Sequence, residues 1–358
     1  MSAMRAALVV FLATVAIAIA AATLAFLIVY RYPDQPNRLP PAGAPARVVI
    51  APGARFPEIL DALDAAEVIG SRAAFRVYAT WRGLTQSVRA GAYDLRTDMT
   101  PRQVLSRLVR GAAEPDVAVT IPEGRNIVEI ADLLAAAGIG TRDALLRRMR
   151  DERFARALGV PAATLEGYLF PDSYRLRPDA PDQALRTLHA RFRAVFSELE
   201  HRHAATKAAL AMGDHEIVVL ASIVEKETGK PSERGMVASV YLNRLRLPSF
   251  SPKLLEADPT ITYGCTVAQA PSVACRRMEG RIRTAQLRDR DNPYNTYVRP
   301  GLPPGPIANP GRAALEAVFA PAQTAYLFFV SRNDGSHHFS STLAEHRAAV
   351  DRYQRGKP

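Results

Sequence analysis

Two glutamates with a lysine between them, Glu225 and Glu227, stand in "ASIVEKETGKPSERG" (221–235), at the end of an apolar run and just before a Gly-Lys-Pro stop. The run Ile217 to Val224 is broken only by Ser222, and Gly229 with Pro231 ends a helix, so both acids fall in its last turn. At about 100° per residue they point about 200° apart, and only one can face a given cleft. A carboxylate there meets the negative end of the helix dipole, while apolar neighbours strip its water. Both effects favour the protonated form, which is what a general acid near neutral pH requires. Pairing with Lys226, Lys230 or Arg234 on a solvated surface would explain the same pattern without chemistry.

The elements around this turn must hold it. A helix over 233–246, N-capped by Ser232, is expected beside it with Val237, Val240, Tyr241 and Leu245 inward. The stretch "NPYNTYVRPGLPPGPIANPG" (292–311) reads as a rigid loop that offers rings and amides to a sugar, or equally as a plain connection. A strand is expected at 325–331, and His337 and His338 read as a turn entering a strand. Upstream, "VVIAPGARFPEILDALDAAEVIGSRAAF" (48–75) and "VAVTIPEGRNIVEIADLLAAAGIGTRDAL" (117–145) repeat one phrase at an offset of 70 or 71 positions. Each is a strand, a Pro/Gly turn, an amphipathic helix and a Gly-Ser/Thr-Arg exit, so two small α+β units are expected. The first closes with a strand through Tyr93–Leu95 and a helix N-capped by Thr100 with Pro101 behind it. From 161 onward aromatic residues interleave with Glu166, Pro171 and Asp172. A long helix over 183–212 then carries His189, His201 and His203, read as a solvated face rather than a metal site.

The totals bound what such a chain does. Its 358 residues allow two or three domains, and 48% hydrophobic with 23% charged residues exclude disorder. The net charge of +11 favours anionic partners, yet the arginines form no aromatic-interleaved strip, which argues against nucleic acid. No Walker-type or dinucleotide glycine loop occurs, so no cofactor is expected. Cys265 and Cys275 lack histidines nearby and are not a zinc site; they pair if the body is exported and stay free if it is cytosolic. Residues 6–30 form 25 uncharged positions. At about 1.5 Å per residue these span a hydrocarbon core of roughly 30 Å, longer than the apolar stretch of a signal peptide. The expected order is therefore a short tail (1–5), a transmembrane helix (6–30), a Pro-rich linker (31–47) and the body.

The wording of the body adds what spacing does not. "LEGYLFPDSY", "ASIVEKET", "SERGMVASVYLNRL", "DPTITYG", "YNTYVRPGLPPGPIANPG" and "HHFSSTLAEH" occur in one order over about residues 46–352. Together they resemble the endolytic murein transglycosylase, or YceG-like, family. The resemblance implies a single-pass inner-membrane protein of α+β class with its body in the periplasm. It implies a small LysM-like α+β module (48–115) and a larger catalytic domain (116–358, divided at 212/213) with a lysozyme-like active-site helix. It also implies cleavage of the MurNAc-GlcNAc bond within nascent glycan strands, with 1,6-anhydro ends that terminate elongation near the peptidoglycan synthases. The catalytic acid carries over to Glu227, whose Glu-Thr pair resembles the Glu-Ser pair of lysozyme-like transglycosylases, with Glu225 in reserve. Asp258, Thr260, Tyr263, Asn295, Thr296 and Tyr297 fall at matching positions and are expected to line the cleft. Residues 265–283 match no family pattern. Two rival readings remain: a non-catalytic peptidoglycan-binding scaffold for the synthases, and a hydrolase with Asp258 as second carboxylate.

Overall fold

The computed structural model describes residues 2–36, 43–111 and 116–356, which form two compact units, Met1–Glu114 and Pro115–Pro358. In the first, a helix Ser2–Tyr30 leads through a short turn at Tyr32–Asp34 into a strand Pro45–Ile50. That strand starts inside the stretch whose prolines suggested a linker; residues 37–42 lie outside the described residues. Among the described residues no helix is long and apolar enough to cross a membrane, the described side chains of Ser2–Tyr30 being those of 11–23, 26 and 30.

The strand pairs antiparallel with Gly91–Arg96, Val48 opposite Tyr93, and its alternate residues Val48 and Ile50 are buried. Helices Phe56–Ala65, Arg72–Trp81 and Pro101–Arg110 cover that face with Leu60, Leu63, Phe75, Tyr78, Leu105 and Leu108. Thr100 caps the last of these as expected, accepting from the Gln103 backbone while Gln103 reaches back to the Thr100 N–H.

The second unit opens with the repeated phrase: a strand Val117–Thr120, then helices Ile127–Ala136 and Arg142–Met149. Its strand pairs antiparallel with Ser173–Leu176, contributed by the aromatic segment. The long helix expected to 212 ends at Arg202 and restarts as Ala204–Leu210. His189 does not lie on a solvated face. It is buried, with its ring nitrogens 3.2 and 3.1 Å from the carbonyls of Tyr168 and Leu158, so it works as a polar rivet of the core.

The glutamate helix, Asp214–Glu227, is the central element. Every residue from Ile217 to Val224 is buried, the pattern of a helix surrounded on all sides. Arg234–Arg246 and Arg312–Phe319 pack against it, as does Asp258–Thr266. The helix after the glutamates is not capped by Ser232: a short 3-10 turn, Pro231–Glu233, precedes it, and the buried Glu233 instead binds the backbone and ring of His337. Phe328–Ser331 and His337–Ser340 form a small antiparallel hairpin, and Leu343–Gln354 closes the chain. Between Leu287 and Arg312 there is no helix or strand, so the Asn/Pro/Gly stretch is an irregular loop whose end, 305–311, is buried.

Candidate active site

Glu227 is the last residue of its helix, and Thr228 already turns extended. Its Oε1 accepts a hydrogen bond from Tyr241 Oη at 2.8 Å, the tyrosine coming from the neighbouring helix. As a residue Glu227 is half-buried, with its carboxyl hemmed in by protein. Burial pushes its pKa up to about 7; the Tyr241 hydroxyl opposes that, the charge of Asp258 adds to it, and Arg244 offsets part of it. At neutral pH a large share of Glu227 therefore carries a proton it can give away.

Glu225 faces the other way, as the 200° argument requires. Its Oε1 accepts from the Arg234 guanidinium at 3.2 Å and its Oε2 from the Gly311 N–H at 2.9 Å, with only 5% of the side chain exposed. Burial raises its pKa as well, but that backbone donor and Arg234 pull the other way. Glu225 is thus the clamp that fastens the 309–311 loop to the helix.

Asp258 begins the helix Asp258–Thr266 and its Oδ1 accepts from Tyr297 Oη at 2.7 Å. With Glu227, Tyr241 and Arg244 these two form one electrostatic cluster. Arg244 is fixed by the carbonyls of Leu327 at 2.7 Å and Leu255 at 2.6 Å, and sits 3.2 Å from Glu256. Beside the cluster runs a groove of about 620 Å³ with Asn126, Lys226, Asp258, Thr262, Tyr263 and Ile307 in its walls. Glu227 is not in that lining; Asp258 is the residue common to groove and cluster.

Three of the six expected cleft residues do not face the cleft. Thr260 is fully buried, donating to the Ala257 carbonyl at 2.7 Å and lying 3.0 Å from Thr296 Oγ1. Thr296 Oγ1 in turn accepts from Ala257 N at 3.0 Å. Asn295 directs its amide to the carbonyls of Gln286, Leu287 and Asp289 and accepts from Tyr297 N. Their polar atoms are consumed inside the protein, so they set the positions of Asp258 and Tyr297 rather than meet a ligand.

One acid that residue pattern did not single out is Glu166, fully buried. Its Oε2 accepts from Ile127 N at 3.1 Å and Tyr263 Oη at 3.0 Å, and its Oε1 from Asn309 Nδ2 at 3.0 Å. It ties together the start of helix Ile127–Ala136, helix Asp258–Thr266 and the Asn/Pro/Gly loop. Burial pushes its pKa up to about 8 against those donors. A lone acid in the apolar phrase "LEGYLF" was the available signal. The unmatched stretch 265–283 is closed by a disulfide between Cys265 and Cys275, whose Cα atoms are 4.6 Å apart. Its far end brings Arg281 and Ile282 to the groove.

The model of the YceG-like family matches residues 48–352. The chain belongs to the YceG-like family. It is 30% identical over 319 residues to an endolytic murein transglycosylase of Bacillus subtilis (strain 168), covering 85% of this chain and 83% of that one. It is 26% identical over 348 residues to an endolytic murein transglycosylase of Streptococcus pneumoniae serotype 2 (strain D39), covering 87% of this chain and 58% of the relative. A crystal structure of a YceG-like protein from Listeria monocytogenes aligns with a TM-score of 0.55 at 27% identity, over 86% of this chain and all of that one. The helix that ends in Glu227 and the loop that Glu225 clamps both lie inside the matched segment.

Proposed function

We propose that this YceG-like chain is a lytic murein transglycosylase that cleaves the MurNAc-GlcNAc bond within glycan strands, with Glu227 as its acid. The observation that carries the reading is the surroundings of Glu227: one neutral hydroxyl donor, burial, and an acidic neighbour, which keep it protonated to about pH 7. The names of its relatives support the same substrate class. Glu227 protonates the glycosidic oxygen; its carboxylate then accepts the proton of the C6 hydroxyl as that hydroxyl attacks its own anomeric carbon, leaving a 1,6-anhydro end. Attack from within the same sugar supplies a high effective molarity and needs no bound water. Asp258 and Tyr297 line the approach, with Tyr263 in the adjoining groove.

Digested sacculi analysed by mass spectrometry test this. The full chain yields anhydromuramyl ends and Glu227→Gln yields none; ordinary reducing ends would identify a hydrolase, and the nearness of Asp258 to Glu227 makes that the reading to exclude. Full complementation in cells by Glu227→Gln would favour a binding scaffold. We further propose that residues 6–30 anchor the chain in the inner membrane with its body in the periplasm. The unbroken helix to Tyr30 and its exposed Phe11, Ile17, Ile19 and Phe26 support this. In that setting the β-α-α-β-α unit of 45–110 serves as a LysM-like glycan-holding module, and cleavage near the synthases ends nascent strands.

A further inference from the structure

The helix Arg72–Trp81 of the small unit has two faces. Phe75, Tyr78 and Ala79 enter the core, while Ala73, Val77 and Trp81, spaced by four, form an outward stripe. Val77 is 40% and Trp81 57% exposed, an apolar stripe that water alone does not explain. Three further observations say what covers it. The Trp81 ring lies 6.4 Å from that of Tyr30, the last residue of the long apolar helix, and the Tyr30 ring lies tilted 4.6 Å from that of Phe26. Arg31, Arg76 and Arg82, beside these rings in sequence, form no ion pair with the described residues, whereas Arg72 and Arg102 are paired to Asp61 and Asp34. Arg82, which follows Trp81 in the chain, shares the wall of a 260 Å³ cleft with Arg110.

We propose that this face lies on the membrane surface, with Trp81 and Tyr30 at the level of the lipid carbonyls, Val77 dipping between acyl chains, and Arg76, Arg82 and Arg110 on anionic headgroup phosphates. Aromatic rings with one polar edge prefer that interfacial layer, and each nearby arginine adds attraction to an anionic leaflet. The consequence is orientation: the small unit is laid down on the bilayer instead of swinging freely at the end of the anchor. This rests on the anchor reading above and goes beyond it, because an anchor alone leaves Trp81 in water.

Trp81 is the single tryptophan of the chain, so its fluorescence reports this face without labelling. The full-length protein is reconstituted into phosphatidylglycerol-phosphatidylcholine vesicles and floated on a gradient. Emission is then quenched from the lipid side by phosphatidylcholine brominated near the carbonyls or deep in the chains, and from the aqueous side by iodide. The expected result is strong quenching by shallow bromines, weaker quenching by deep ones, and iodide quenching several-fold below that of the urea-unfolded protein. Arg76→Glu/Arg82→Glu should restore iodide access while flotation persists. Protein that floats but whose Trp81 is open to iodide and blind to brominated lipid overturns the inference alone. Protein that does not float overturns the anchor and this inference together.

Discussion

The two sides of one helix end treat two nearly identical acids in opposite ways. On one side Glu225 is given a guanidinium and a backbone N–H, two donors that fasten its carboxyl in place. On the other Glu227 is given a single phenol and the company of Asp258, which suits a group that must hold and release a proton. Sequence spacing separates the two faces; the donors that arrive from distant segments decide how firmly each carboxyl is held.

The largest effect expected from breaking this contrast is on Glu227 itself. Glu227→Gln keeps the Tyr241 contact but cannot transfer a proton, and turnover of glycan strands should fall by about 10²–10⁴-fold with no loss in melting temperature. Glu225→Gln should do the reverse. Leaving the Arg234 charge with only Glu123, 3.7 Å away, should cost about 1–3 kcal/mol in urea unfolding, while the chemical step, measured as kcat, falls far less than in Glu227→Gln. A loss of turnover equal to that of Glu227→Gln would reverse the assignment.

Subtler changes sharpen the contrast. Because the Tyr241 hydroxyl holds the Glu227 pKa down, Tyr241→Phe should move the alkaline limb of the activity profile to higher pH, with neutral-pH activity kept within about tenfold. The wild-type limb should fall as pH rises through about 7, where the acid is lost. Stability follows the same proton. Folding raises the Glu227 pKa from 4.5 to about 7, so the folded chain binds the extra proton and its stability declines as pH rises across that window. Glu227→Gln should flatten part of that decline in pH-dependent denaturant titrations, the smallest of these effects.

What could be read in advance was local. The helix stop at 227–231, the opposed glutamates, the Thr100 cap and the repeated strand-turn-helix phrase all follow from spacing and turn chemistry within a dozen residues. What escaped was the destination of polar side chains. Thr260, Asn295 and Thr296 belong to residue types that bind sugars as readily as they satisfy buried carbonyls, and only the packing of 286–297 against 257–260 tells the two uses apart. The helix Asp258–Thr266 was equally hidden, since Thr, Gly and an uncapped Ala257 are poor helix signals that tertiary packing overrides. Cys265 and Cys275 could be judged only through the compartment, and His189 only through the carbonyls that grip it.

The two repeated turns carry the same lesson. Gly53 at φ 79° faces open space, whereas Gly124 at φ 73° has the Glu225 Cγ 3.4 Å from where a Cβ would stand. Around Gly124 the turn is sealed by Asn309, which takes the Gly124 N–H at 3.1 Å and grips the Arg125 carbonyl at 2.9 Å across 184 positions of chain. A nascent polypeptide emerging from its N-terminus therefore lacks this clasp until most of it has been synthesised. Chains that stop short of Asn309 carry both glutamates but neither this clasp nor the Gly311 N–H that holds Glu225.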